Sequence, residues 1–188
     1  MSLARFCCLL FCTLFELTYS VAMATEEVNY IIVDKNEVFE IRKYSDRIAV
    51  ETIIADQSNS FRKLFSYISG NNKNNKEIKM TTPVTRIEKN GKMTMQFYLP
   101  KKFDQNSVPE PTMPDVQIVI IKSGYYAAIR YSGRASEANY TKHKAILQNE
   151  LKKNKISTIS PSIRATYNSP FTLPIFRRNE VMFKIHYN

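Results

Sequence analysis

Alternating apolar and polar positions predict a pair of β-strands in each half of the chain. The first pair covers residues 38–54, with a break near Ser45-Asp46, and the second covers residues 116–131, with a break at Ser123-Gly124. Alternation with a period of two places every second side chain on one face of a sheet. Because a shift of 78 positions lays the first break over the second, each half is predicted to begin with strand, tight turn and strand.

A helix is predicted to follow the strands in each half. Four apolar side chains of the first half share one helical face: Phe61, Leu64, Phe65 and Ile68. Ser58 or Ser60 can cap the start of this helix, and Gly70 can supply the left-handed residue that ends it. The second helix is predicted from near Ser136 to about Lys153.

Two further predicted strands close each half: residues 79–88 and 92–99 in the first, and residues 162–167 and 180–186 in the second. A turn at Asn90-Gly91 joins the first two. The three prolines of residues 109–114 separate the halves, which cover about 28–108 and 115–188. The pattern predicts one α+β domain built by duplicating a strand-strand-helix-strand-strand unit.

The first 24 residues have the pattern of a secretory signal peptide. Arg5 precedes an apolar run over residues 6–17, and small residues then mark candidate cleavage sites: Ser20, Ala22 and Ala24. A retained membrane anchor is the alternative, but the run is shorter than the roughly 20 apolar residues that span a bilayer. We therefore expect residues 1–24 to be removed and a single domain, residues 25–188, to be secreted into the extracellular space.

The cysteine content and the charge narrow the classes of function. All three cysteines lie in the leader: Cys7, Cys8 and Cys12. The mature chain is therefore predicted to lack disulfides, thiol nucleophiles and thiolate metal ligands, although secretion permits disulfides. The formal net charge of +10 favours anionic partners, such as a carboxylate-bearing ligand or an anionic membrane surface. Since the cations are scattered and accompany no nucleic-acid motif, no nucleic-acid partner is expected.

Several short segments, in this order and spacing, resemble the signature segments of the SOUL family of heme-binding proteins: Glu40-Ile41-Arg42, Tyr67-Ile68-Ser69-Gly70-Asn71, Met80-Thr81-Thr82-Pro83-Val84, Tyr167-Asn168-Ser169-Pro170 and Arg178-Asn179-Glu180-Val181. The resemblance covers essentially the whole mature chain. It implies a distorted antiparallel β-barrel flanked by two helices, with the halves related by a pseudo-twofold axis. It also implies that heme or a porphyrin is bound reversibly.

The resemblance places the tetrapyrrole between the first helix and the loop before Arg178. The matching helix, around residues 58–66, offers two cations for the propionates and one flat contact: Arg62, Lys63 and Phe65. The matching loop, residues 170–177, offers four apolar side chains and one cation: Phe171, Leu173, Ile175, Phe176 and Arg177. Such a loop either exposes an apolar surface or folds over the barrel end as part of the core, and the sequence leaves both alternatives open.

The chain departs from the family pattern at three positions that contact the ligand in other members. Lys43 stands where some members carry a histidine proposed as an axial iron ligand, and Ser66 and Leu173 stand where others carry cations. His143 is therefore the axial-ligand candidate among the histidines, and a packed, hydrogen-bonded histidine on the apolar stripe of the second helix is its alternative interpretation.

Two further motifs have competing explanations. Asn139-Tyr140-Thr141 is an N-glycosylation sequon in a chain that is expected to be secreted, or a chance occurrence. Glu180 is expected to be buried near one end of the barrel and held by Arg178, which leaves Arg177 as the ligand contact.

The sequence thus predicts a noncatalytic, monomeric protein that carries or buffers heme or a porphyrin in a shallow apolar groove edged by cations. One alternative is a secreted interaction protein that binds anionic membranes or a protein partner. Another is an enzyme that acts on heme, although the mature chain shows no convincing pairing of a base with a nucleophile.

Overall fold

The computed structural model describes residues 25–187, so the predicted signal peptide lies outside the described residues. Two helices, α1 (Gln57–Ile68) and α2 (Glu137–Lys153), lie among eleven strands of this region. The strands are β1 (Glu26–Glu27), β2 (Ile31–Lys35), β3 (Glu40–Tyr44), β4 (Arg47–Ile53), β5 (Thr81–Thr82), β6 (Val84–Lys89), β7 (Lys92–Tyr98), β8 (Gln117–Ile121), β9 (Gly124–Tyr131), β10 (Ile163–Thr166) and β11 (Asn179–Ile185).

Nine of the described strands form one strongly curled antiparallel sheet in the order β2-β3-β9-β11-β10-β6-β7-β4-β8. The other two, β1 and β5, make a short parallel pair. The sheet is an open half-barrel, and both helices pack against it. The α+β class and the distorted barrel flanked by two helices, as predicted from the sequence, are confirmed.

The two halves exchange the first strands of their repeated units, β3 and β8. From β3 to β8 the sheet is symmetric about the β10–β6 pair, and β3 of the first half pairs with β9 while β8 of the second half pairs with β4. The tight turns at residues 45–46 and 122–123 therefore connect strands that do not pair with each other. By contrast, Asn90 and Gly91 have positive φ angles of 51° and 74° and close the β6–β7 hairpin, as expected for such a turn.

The helix boundaries follow from capping. Asp56, and neither of the two serines considered above, caps α1, because its carboxylate accepts a hydrogen bond from the Asn59 backbone N–H at 3.0 Å. Gly70, with φ of 103°, follows the C-cap residue Ser69, as predicted. Ser136 caps α2 by accepting from the Asn139 N–H at 3.3 Å, and the helix ends at Lys153, also as predicted.

Each helix covers one half of the same sheet face. Leu64, Tyr67 and Ile68 of α1 are buried against β4 and β7, and Leu147 and Leu151 of α2 are buried against β9 and β11. A third apolar cluster, centred on side chains such as Tyr44, Tyr126 and Met182, lies on the opposite face. The helix-bearing face therefore has a gap at its centre, over β6 and β10.

Candidate functional site

A groove of about 830 Å³ opens on the helix-bearing face, between the start of α1 and the loop after β10. Its floor comes from four strands, with one or two side chains from each: Val84 and Arg86 of β6, Met95 of β7, Thr166 of β10 and Asn179 of β11. Phe61 of α1 and Pro170 of the loop lie on opposite walls. Cavities of roughly 300–1,000 Å³ with mainly apolar lining are typical of small-molecule sites.

Two of the signature segments line this groove. Met80, Thr82 and Val84, which alternate along the chain, all contribute to its lining. Thr81, between them, is buried and donates a hydrogen bond from its hydroxyl to the Tyr98 carbonyl at 2.6 Å. The other segment, residues 167–170, forms the far wall. These two segments therefore meet at one cavity, although they lie more than 80 residues apart in the sequence. Asn179 of the last signature segment also lines it.

The loop between β10 and β11 exposes its apolar side chains. Phe171 is 95% exposed, and the three other candidates on this loop are all more than 60% exposed: Leu173, Ile175 and Phe176. Of the two alternatives left open by the sequence, the structure shows the exposed loop. None of these four side chains lines the groove, whereas Arg177 of the same loop does. Arg177 fixes the conformation of the loop, because its guanidinium donates hydrogen bonds to the carbonyls of Thr172 and Pro170.

The three candidate ligand contacts on α1 differ in their exposure and in their contacts with other side chains. Arg62 is exposed on α1, whereas Lys63 forms an ion pair with Asp115. Phe65 is 49% exposed and its ring stacks on that of Phe61, with the centroids 6.1 Å apart. Phe61, which the sequence placed on the apolar face of the helix, is 41% exposed and lines the groove. The three predicted contacts on α1, Arg62, Lys63 and Phe65, do not line it.

Arg86 is a groove residue that the sequence analysis missed. Its side chain lines the floor, and its buried Nε has no hydrogen-bond partner among residues 25–187. Burial and the neighbouring guanidinium of Arg164 lower the pKa of Arg86. In a strand with alternating polar and apolar residues, an arginine is expected to face solvent. Only the pairing of β6 with β10 shows that Arg86 lies on the floor of the groove.

His143 is packed and hydrogen-bonded on α2. Its ring stacks on Tyr131 with the centroids 4.1 Å apart, and its Nδ1 lies 2.7 Å from the Asn139 carbonyl oxygen. His143 is not part of the groove lining. Within the described residues, no cluster of three or more His, Asp or Glu side chains is arranged to hold a metal ion.

The Asn139 amide faces the protein. Its Nδ2 donates to the carbonyls of Ser132 and Arg134, both at 3.0 Å. N-glycosylation would replace one of the two Nδ2 hydrogens that make these hydrogen bonds.

Glu180 is fully buried on the sheet face opposite the groove, in a network of charged groups. Arg42 donates to it through both terminal nitrogens at 2.7 and 3.1 Å, Arg178 donates through Nε at 2.9 Å, and the Tyr167 hydroxyl donates at 2.8 Å. Burial alone would raise the pKa of Glu180, but the two arginines outweigh it and lower the pKa. The expected contact between Arg178 and Glu180 is present, with Arg42 as a second partner.

The fold and the groove define an α+β half-barrel domain with a cavity large enough for a small ligand. The sequence pattern of the SOUL heme-binding protein family matches residues 25–184, and the chain belongs to this family. Heme binding is thereby supported at the level of the family. No curated protein matches the sequence.

Solved structures with the same fold include three of low sequence identity. The C-terminal domain of EcmrR is 11% identical (TM-score 0.59), with 80% of this chain and 98% of that chain covered. A hydrolase from Listeria innocua is 10% identical (TM-score 0.57; 82% and 94% covered). An uncharacterized conserved protein from Listeria innocua is 8% identical (TM-score 0.61; 81% and 94% covered). These similarities establish the fold alone.

Proposed function

We propose that this chain binds heme or a related tetrapyrrole reversibly in the groove, as a noncatalytic carrier or buffer. The proposal rests on one observation, namely a groove bordered by a loop whose large apolar side chains are exposed. A tetrapyrrole is a flat apolar disc with carboxylates on one edge, so it matches an apolar cleft with cations nearby. The heme-binding family to which the chain belongs supports the same ligand class.

The expected affinity is moderate. Burying about 300 Å² of macrocycle at about 25 cal/mol per Å² contributes about 7–8 kcal/mol. A Kd of 1 µM corresponds to about 8 kcal/mol, and association costs reduce the net gain. Micromolar or weaker binding is therefore expected in the absence of an axial iron bond.

Titration of residues 25–188 with hemin and with iron-free protoporphyrin IX tests the proposal. Absorbance and quenching of tyrosine fluorescence should both saturate, with similar Kd values for the two ligands, because apolar contact and charge carry the binding. A Kd of about 50 µM corresponds to a binding free energy of about 6 kcal/mol, which this titration would detect. Absence of a saturable change below about 50 µM ligand would count against the proposal.

A second candidate function is binding to anionic membranes. The loop side chains Phe171 and Phe176 are 95% and 70% exposed, and the chain carries a formal charge of +10. Within residues 25–187 no helix is long and apolar enough to span a bilayer. Sedimentation with liposomes of anionic or neutral lipid over a salt series separates the candidates, since surface electrostatics weakens with ionic strength.

The proposal includes secretion. The leader pattern in residues 1–24 supports it. Expression in a secreting host should release a protein whose N-terminus follows Ser20, Ala22 or Ala24, as read by mass spectrometry of the culture medium. Retention of intact residues 1–24 in the cell fraction would contradict secretion.

A further inference from the structure

Three buried polar atoms near the centre of the sheet have no hydrogen-bond partner within residues 25–187: Arg86 Nε, Arg164 Nε and Tyr131 Oη. Arg86 and Arg164 are directly opposite each other in the register between β6 and β10. Side chains in such a pair have Cβ atoms about 4.5–5.5 Å apart, and like charges placed there repel. The fold therefore places two partly buried arginines side by side on one sheet face, and the charge of Arg164 acts on Arg86.

Only Arg164 of the two arginines has side-chain hydrogen bonds among residues 25–187. Arg164 donates to the Glu137 carboxylate at 3.1 Å and to the Ser136 carbonyl at 2.7 Å, and its guanidinium lies 4.4 Å from the centre of the Tyr140 ring. No such partner is found for Arg86 among the described residues. A buried donor without a partner costs about 1–3 kcal/mol, and more if it is charged.

Arg47 provides a contrast on the opposite sheet face. It also has unpartnered buried nitrogens, but its guanidinium lies over three tyrosine rings at 4.2, 4.9 and 5.3 Å: Tyr44, Tyr126 and Tyr98. Cation–π contacts of this kind compensate a desolvated charge. Arg86 has no such stack with any described aromatic ring, and its side chain lines the groove. A bound anion would supply the hydrogen-bond acceptor and the counter-charge that Arg86 lacks among the described residues.

We propose that Arg86, backed by Arg164 and Tyr131, forms an anion-binding site on the floor of the groove and accepts a carboxylate of the ligand. One propionate of a tetrapyrrole would then point inward to Arg86, while the exposed cation Arg62 on α1 remains for the other. This inference deepens the proposed function, since it states how the ligand is oriented, but the anion site itself does not depend on the ligand being a tetrapyrrole.

The test compares protoporphyrin IX with its uncharged dimethyl ester on the full mature chain, Arg86→Met and Arg47→Met. Arg86→Met should weaken protoporphyrin binding by about tenfold or more, as expected when a charged hydrogen bond is lost, and should leave ester binding unchanged. Arg47→Met, the matched control, should change neither. Equal protoporphyrin affinity in wild type and Arg86→Met would overturn the inference.

A stability measurement separates a binding role from a structural one. Arg86→Met should melt at the same temperature as the ligand-free wild type or higher, because the substitution removes a repulsive, unpartnered charge. A purely structural Arg86 would instead lower the melting temperature and would weaken acid and ester equally, and this result would also overturn the inference.

A smaller probe pair covers the case in which the wild-type chain binds no protoporphyrin. The probes are 8-anilinonaphthalene-1-sulfonate and the uncharged N-phenyl-1-naphthylamine. Weaker sulfonate binding in Arg86→Met, with unchanged amine binding, would support the anion site while the tetrapyrrole proposal fails. Identical binding of both probes to wild type and variant would overturn the anion site as well.

Discussion

A carboxylate without exposed surface needs strong donors, and Glu180 has four hydrogen bonds from three side chains: Arg42, Arg178 and Tyr167. Two signature segments, Glu40-Ile41-Arg42 and Arg178-Asn179-Glu180-Val181, meet in this contact. Arg42 lies on β3 and Glu180 on β11, and β9 lies between the two strands. At the residue scale, Arg42, Arg178 and Glu180 of these segments therefore stabilise the fold on the face opposite the groove.

Replacing Glu180 by Gln should lower the free energy of unfolding by about 3–5 kcal/mol, because it leaves two arginines without their buried counter-charge. Urea denaturation of both proteins checks this value. The matched control is Glu110→Gln, in an exposed pair with Lys73, which should leave the midpoint unchanged. A midpoint for Glu180→Gln equal to that of wild type would contradict the structural role of the network.

Glu180 also predicts the pH dependence of stability. Its pKa is lowered in the folded state, so its contribution is fully present above the unfolded value of about 4.3 and is lost as the pH falls through the folded value. The difference in unfolding free energy between wild type and Glu180→Gln should therefore be constant near pH 7 and shrink below about pH 4. A difference that grows on acidification would have the wrong sign.

His143→Ala should leave the absorption spectrum of the hemin complex unaltered. The imidazole Nδ1 bonds to the Asn139 carbonyl and the ring is stacked on Tyr131, away from the groove lining. The spectrum of the hemin complex over the iron-sensitive bands is the measurement. A loss or shift of those bands in the variant would show that His143 ligates the iron.

Some of these residue-level features could be predicted from the sequence and others could not. The contact of Glu180 with Arg178 was expected because the two are near neighbours in one motif. Arg42 was missed as the main partner because it is 138 residues away and three strands must pair before the two meet. Arg86 was missed for the same reason, since the second arginine beside it comes from the other half of the chain.

At the scale of elements, the loop of residues 167–178 differs from an ordinary connection because its backbone is tied by hydrogen bonds while its large apolar side chains are exposed. A short 3₁₀ turn (Pro174–Phe176) and the hydrogen bonds from Arg177 fix its backbone. The Gly133 N–H also donates to the Pro174 carbonyl at 2.8 Å. The loop is thus held as a wall beside the groove with its aromatic side chains facing solvent.

Replacing Phe171 and Phe176 together by Ala should weaken hemin binding by about tenfold or more, because a macrocycle that rests on the loop beside the groove loses two aromatic contacts. The thermal midpoint should stay unchanged, because both side chains are already exposed. Ile31 and Ile32 on the edge strand β2 are also exposed and apolar, so their double Ala variant is the control and should bind normally. Equal affinity in all three proteins would remove the loop from the site.

The positions of the helices and of most strands could be predicted from the periodicity of apolar residues, whereas the pairing of the strands could not. The end of α2 and the cap at Ser136 were predicted from local chemistry, and the start of α1 was displaced only because Asp56 competes with the nearby serines as the cap. The breaks at Ser45-Asp46 and Ser123-Gly124 look like hairpin turns in the sequence. Local patterns do not specify which strands pair with each other. The pairing of β3 with β9 and of β4 with β8 therefore could not be predicted from them.

At the scale of the whole molecule, the duplication makes the two halves interdependent. Each contributes the first strand of its repeated unit to the other, and the groove lies over the β6–β10 pair where the halves meet. A site at this position draws its floor from both halves. The repeat was visible in the sequence, but the exchange of strands and the central groove required the complete fold.

Residues 25–108 alone should not fold, since β3 would lack β9 and β4 would lack β8. Far-ultraviolet circular dichroism and amide dispersion in NMR spectra of this fragment should indicate an unfolded chain. Coexpression with residues 115–188 is the control and should restore a folded, noncovalent pair. A fragment that unfolds cooperatively as a monomer would contradict the interdependence of the halves.

The most direct test of the central claim is an amide NMR titration of ¹⁵N-labelled residues 25–188 with protoporphyrin IX. Saturable shift changes should be confined to the groove, namely residues 56–61, 80–86 and 166–179. Residues around Tyr44 and Tyr126 on the opposite face should stay unperturbed. Saturable changes that map to that opposite face, or no saturable change at all, would contradict the central claim.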